Sequence, residues 1–143
     1  MPFSFLNRFS LRKITVGTTD DAGQAARTVL EQLLTELPEM LLACLVEVSS
    51  GRVLASYTTA SALNPNQISL RYAKLLRQTD SALAARQIPG GPLTEMTLLL
   101  EDQLHLIRPL PTRGWYCFLA VRFADTNLGM ASEILRRQTA QLQ

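Results

Sequence analysis

The run Leu41, Leu42, Ala43, Cys44, Leu45, Val46, Glu47, Val48 constrains this chain more than any other stretch. A strand that alternates apolar and polar residues needs cover on one face; a nearly continuous apolar run must be covered on both. Helices above and below the sheet meet that demand, which makes the expected class α+β with helices on both faces. Ser49, Ser50, Gly51 and Arg52 then supply turn chemistry, and residues 53–57 form a second apolar run, so the two runs read as a hairpin.

The helices that flank this hairpin are legible from spacing. Ala22, Ala25, Ala26, Val29, Leu30, Leu33, Leu34 and Leu37 recur at three and four residues and line one helical face. Asp21, with Gln24 three residues on, is expected to cap that helix, and Pro38 to end it. A second helix opens at Asn64 and Pro65, a cap followed by a residue preset for the first helical position, and runs to about Arg86. Its main stripe is Ile68, Tyr72, Leu75, Leu76, Thr79 and Leu83. Leu70, Ala73, Arg77, Asp80 and Ala84 form a strip on its flank, too rich in small residues for a face that meets only solvent.

Pro89, Gly90, Gly91 and Pro92 break the pattern. Residues 95–101, 104–110 and 115–123 follow as three strands of an antiparallel meander, and a last helix covers about 127 to 142. The expected order is α-β-β-α-β-β-β-α around a five-stranded antiparallel sheet.

With 143 residues the chain suits one domain whose core needs no disulfide or metal. Residues 1–20 read as a leader and 21–143 as the domain. The leader carries Phe3, Phe5, Leu6 and Phe9 among Arg8, Arg12 and Lys13, so a contact with a membrane or a partner is open to it, although a frayed terminus explains it as well. Polar residues interrupt it before any signal-peptide core, and no later run approaches about 18 apolar residues, so the cytoplasm is the expected compartment. Cys44 and Cys117 lie in apolar runs and are expected as buried thiols. The net charge of +2 is spread along the chain, with no basic cluster of the kind that binds nucleic acid.

Chemistry is hard to find. His105, the one histidine, stands between Leu104 and Leu106 in an apolar strand, where a structural role is expected, and no nucleophile and base are paired with it. One histidine and two distant cysteines do not make a zinc site. Gly90 and Gly91 lack the surroundings of a phosphate loop. The adjacent acids Asp20 with Asp21, and Glu101 with Asp102, read as a cap and a turn. No catalytic, metal or cofactor residue is expected, and the chain reads as a non-enzyme.

The element order, the hairpin from Leu41 to Ala55, and the stretch Asn127, Leu128, Gly129, Met130, Ala131 together resemble the Roadblock dynein light-chain family, over about residues 22 to 142. The resemblance implies a profilin-like architecture with strands in the order two, one, five, four, three, the middle helix on one face and the terminal helices on the other. It implies Cys44 and Cys117 on neighbouring strands. It also implies a homodimer joined through the middle helices and the edge strands that follow them. The partner it implies is a Ras-like small GTPase, or a larger motor or signalling assembly, for which the chain would be a scaffold or regulator. Arg108, Arg113 and Arg122 lie on or near the last strands, and each is expected at the surface rather than as a catalytic finger.

The residues give their own reasons for a dimer. Met96, Thr97, Leu98, Leu99 and Leu100 would be an uncharged open edge in a monomer. Leu70, Ala73, Arg77, Asp80 and Ala84, with Met96, Leu98 and Leu100, are therefore the expected dimer interface. Two other readings compete: a secretion-type chaperone that binds an extended effector segment, and a profilin-like sensor of a small molecule. The first is disfavoured by the slightly basic balance, the second by strands that read as a filled core.

Overall fold

The computed structural model describes residues 14–59 and 64–142. Among these residues six strands and three helices follow in the order β1 (Thr15–Val16), α1 (Asp21–Glu36), β2 (Leu42–Glu47), β3 (Val53–Thr58), α2 (Pro65–Ala85), β4 (Met96–Leu99), β5 (Gln103–Leu110), β6 (Trp115–Arg122) and α3 (Leu128–Thr139). A 3-10 turn, Ala140–Leu142, closes α3. All pairings are antiparallel, and the strands stand in the order β1-β3-β2-β6-β5-β4.

Two expectations are corrected. The sheet has six strands rather than five, because Thr15 and Val16 pair with Ser56 and Ala55 on the outside of β3. The order is thus β-α-β-β-α-β-β-β-α, and the residues assigned to the leader include part of the sheet; a two-residue strand leaves no periodicity to read. The five expected strands keep their mutual order inside the larger sheet. The cap of α1 is Asp20, one residue earlier than expected: its carboxylate accepts from the Gly23 backbone N–H at 3.1 Å, and Asp21 is already helical. Asn64 and Asn127 cap α2 and α3 in the same manner, at 2.9 and 2.8 Å.

The central strands β2 and β6 are buried along nearly their whole length, as an apolar run on both faces requires. Ala43 and Leu45 point with Cys117 and Leu119 into a core beneath α1 and α3, which supply Ala26, Val29, Leu30, Leu33, Ala131 and Leu135. Leu42, Cys44 and Val46 point the other way, with Tyr116, Phe118 and Ile107, into a smaller core beneath α2. The middle helix thus covers one face and the terminal helices the other. Cys44 lies opposite Phe118 and Cys117 opposite Leu45, so the two buried thiols sit on neighbouring strands but on opposite faces of the sheet. Burial pushes both thiols up, Cys117 to about 12, which leaves them protonated and unreactive.

Gly51 serves the β2–β3 turn in two ways. Its φ of 75° favours glycine, and a Cβ there would come within 2.9 Å of the Leu70 Cα on α2. The hairpin turn is held against the helix by the lack of a side chain.

Candidate interaction surface

The site follows from how α2 sits on the sheet. Its fully covered residues are Pro65, Ser69, Ala73 and Leu76. Tyr116 fixes that contact by donating its hydroxyl to the Ser69 carbonyl at 2.6 Å in the interior. The line facing the sheet therefore runs between the two strips seen in the sequence, and the helix is rolled by roughly 60° from the expected orientation. Small side chains at 69 and 73 let the helix approach closely. In consequence Ile68, Tyr72, Leu75, Thr79 and Leu83, expected in the core, are only half-buried. They form a largely apolar shoulder along one side of the helix.

That shoulder faces the β4 side of the sheet. Tyr72 stacks on Phe118 of β6 with ring centroids 5.1 Å apart, and its hydroxyl lies 3.4 Å from Nδ1 of His105 on β5. Leu98 is paired opposite His105, and Met96 opposite Ile107, so both point to the face that carries α2, where both are half-buried. β4 pairs with β5 alone among the described residues, and its other edge is open. Leu99 and Leu100, at its end, are 65% and 45% exposed. An open edge and an apolar shoulder thus adjoin, with backbone groups to pair and side chains to bury.

The expected interface residues divide accordingly. Leu70, Arg77, Asp80, Ala84 and Leu100 are exposed, and Met96 and Leu98 half-buried. Ala73 is wholly buried against the sheet and presents nothing to a partner, which corrects its assignment. Leu70 and Arg77 lie on the side of α2 away from β4, where Leu70 meets Gly51 and Arg77 donates to the Val48 carbonyl at 2.5 Å. The structure instead packs Met96 and Leu98 against the same small core as Ile68 and Tyr72 of the shoulder. Sequence spacing had found that shoulder but placed it inside.

The remaining candidates are accounted for by packing. His105 has both nitrogens engaged, Nδ1 with Tyr72 and Nε2 with Gln103 Oε1 at 2.8 Å, and its ring meets Phe118 edge-on at 5.2 Å. Burial lowers its pKa. Arg108 is not at the surface as expected: its side chain is 16% exposed and pairs at 3.4 Å with Glu95, which also accepts from Ser132 of α3 at 2.7 Å. Arg113 lies over the Trp115 ring, 5.2 Å from its centroid, and Arg122 pairs with Asp125 at 3.0 Å. No three potential metal ligands gather among the described residues, and no described helix is long and apolar enough to cross a membrane. A cleft of about 240 Å³ between α2 and the β5–β6 turn is lined mainly by apolar residues, among them Leu76, Leu93, Pro109 and Pro111, with Arg77 and Asp80 as its charged groups. The contact expected of the aromatic leader falls on residues 1–13, outside the described residues.

This order of strands and layers recurs in solved structures. MglB of Myxococcus xanthus superposes with a TM-score of 0.71 over 90% of this chain and 91% of its own, at 11% identity. The gliding protein MglB of Thermus thermophilus does so at 0.70, over 90% and 93%, at 18% identity. A Roadblock/LC7 domain of Streptomyces avermitilis matches at 0.67 over 86% and 95%, at 13% identity. The chain has the Roadblock fold. No family model matches its sequence, and no curated protein does either. At such identities the Roadblock fold is carried by layer pattern, since no shared chemical motif is needed to specify it.

Proposed function

We propose that this Roadblock-fold chain is a non-enzymatic homodimeric regulator or scaffold that binds a Ras-like small GTPase or a larger signalling or motor assembly. The observation that carries the dimer is the open β4 edge beside the apolar shoulder of α2. A second copy related by a two-fold axis would pair its β4 with this one and bury Ile68, Tyr72, Leu75, Met96 and Leu98 against their counterparts. The Roadblock resemblance supports the GTPase as partner; the nucleotide would be held by that GTPase, and this chain would need no phosphate loop. The 240 Å³ cleft is below the size of an ordinary ligand site and has few convergent polar groups, so it lends the small-molecule sensor no support.

Light scattering on the eluting full-length protein tests the dimer: twice the 15.9 kDa chain mass is expected at micromolar concentration, and a monomeric mass removes it. Titration with a purified Ras-like GTPase, loaded in turn with GDP and a non-hydrolysable GTP analogue, tests the partner. Nucleotide-dependent binding is expected; no binding in either state removes the GTPase reading.

A further inference from the structure

On the α1/α3 side, the end of the sheet where β2 begins and β6 stops is left incompletely covered. A hollow of about 100 Å³ opens there, over the buried side chains of Leu37, Met40 and Val121, with Met130, 54% exposed, at its side. An aliphatic cavity of ~150 Å³ takes a benzene ring, so an open hollow of this order seats one phenyl side chain. Phe123, in the turn that follows β6, is itself 45% exposed. Thr126 also lines the hollow, and its Oγ1 is buried with no hydrogen-bond partner. The charged groups of the lining are Glu36, Glu39 and Asp125, all carboxylates. Glu36 and Asp125 already hold Arg137 and Arg122, at 2.9 and 3.0 Å. Glu39 has no described cation within ion-pair distance. Nor have Glu101 and Asp102 of the β4–β5 turn, where the Asp102 carbonyl accepts from the Phe123 N–H at 3.1 Å. Surplus negative charge thus adjoins uncovered apolar surface.

We propose that residues 1–13 of this same chain close the hollow, one of Phe3, Phe5 and Phe9 entering it while Arg8, Arg12 and Lys13 meet Glu39, Glu101 and Asp102. The register of β1 delivers the segment to this place. Thr15 opposes Ser56 and Val16 opposes Ala55, so ahead of Thr15 the chain points toward Thr58, which is paired through Leu42 with Ala120 at the end of β6. Ile14 already packs on the α1/α3 core. Three strand spacings, about 14 Å, separate β1 from β6, whereas thirteen extended residues span ~40 Å. Composition selects the same occupant: the segment holds three cations and no acid, the complement of the three unmatched carboxylates. An anionic lipid surface suits that composition but not the position, since it would draw Glu39, Glu101 and Asp102 toward like charge. The closure needs neither a dimer nor a GTPase.

Distances between two spin labels on the full-length protein test it. Ser10→Cys is paired with Ala124→Cys in the β6–α3 turn or with Thr112→Cys at the opposite end of the sheet; the native thiols are buried and escape labelling. The expected result is a narrow distribution for both pairs, with the Ala124 separation the shorter. Glu39→Lys with Glu101→Lys and Asp102→Lys should lower the ratio of docked to undocked chains at least about fivefold. Adding Arg8→Glu, Arg12→Glu and Lys13→Glu should restore it to within about twofold. Thermal unfolding checks that the variants fold; if the reversed turn does not, Phe3→Ser with Phe5→Ser and Phe9→Ser takes its place, with the same loss expected. A broad distribution in the otherwise unsubstituted protein, a Thr112 separation as short as the Ala124 one, no loss on substitution, or no recovery from the reciprocal charges would each overturn the proposal. So would disappearance of the narrow component on dilution into unlabelled protein, which would assign the hollow to a second copy. Its disappearance on adding phosphatidylserine vesicles would do the same in favour of lipid.

Discussion

Helices α1 and α2 cover opposite faces of one sheet, yet the shorter one is the better buried. Over 16 residues α1 buries Val29, Leu30 and Leu33 completely, together with Gly23 and Ala26. Over 21 residues α2 buries Pro65, Ser69, Ala73 and Leu76, of which only Leu76 is large and aliphatic. Each fully buried leucine or valine contributes about 1.5–3 kcal/mol, so α1 is anchored by its own apolar surface while α2 leaves much of its own unclaimed. The described ion pairs follow the same division: the cations of α1 and α3, Arg27, Arg136 and Arg137, are each paired, and no cation of α2 is. One layer has its apolar surface covered within the chain. The other leaves half-buried apolar side chains and unpaired cations along α2.

The comparison breaks first on a core substitution. Leu33→Ala in α1 removes a fully buried side chain and should cost about 2–5 kcal/mol of unfolding free energy, read from urea denaturation. Leu75→Asp on the half-buried shoulder of α2 should cost the single chain less than about 1 kcal/mol. It should instead weaken dimerisation by about two orders of magnitude, measured by sedimentation, because a carboxylate would be buried in an apolar seam. Equal losses of stability from the two substitutions would mean that the shoulder is core and the two layers are alike.

How much of this was legible depended on side-chain size. α1 could be read because large aliphatics fall at each inward position, and β2 because an apolar run on both faces has one structural solution. The roll of α2 could not be read: Ser69 and Ala73 look like surface residues, and only their burial in the fold, with the Tyr116 hydroxyl on the Ser69 carbonyl, shows that they lie against the sheet. With the helix turned by their small size, the shoulder that spacing placed inside lies half-buried on the β4 side of the helix. The open edge at Met96 and Leu98 was visible because uncharged β-forming residues stand between Glu95 and Glu101. Arg108 was misplaced for the opposite reason. A long charged residue in a strand reads as exposed, and its burial depends on Glu95 and Ser132, which are distant in sequence and bridged only by the fold.

The smallest expected effect separates the two layers by pH. His105, on the α2 face, has a pKa below its ordinary value of 6.5 because burial disfavours the charged ring. The unfolded chain therefore takes up the proton first. Stability from this group is complete above pH 6.5 and declines as pH falls toward the folded value, below which the loss is constant. Glu36, on the α1/α3 side, lies below its ordinary 4.5 because the Arg137 guanidinium and the Gln138 amide hydrogen-bond to its carboxylate. That contribution is present above pH 4.5 and is lost as pH falls through the folded value. Unfolding followed across this range should show two separate slopes. His105→Gln, which keeps a polar side chain beside Tyr72, should flatten the upper slope alone, and Glu36→Gln the lower alone, with a smaller change because that carboxylate is screened by solvent. If His105→Gln leaves the upper slope intact, the ring is not the group that titrates there, and the α2 layer has no acid sensitivity distinct from that of the layer opposite.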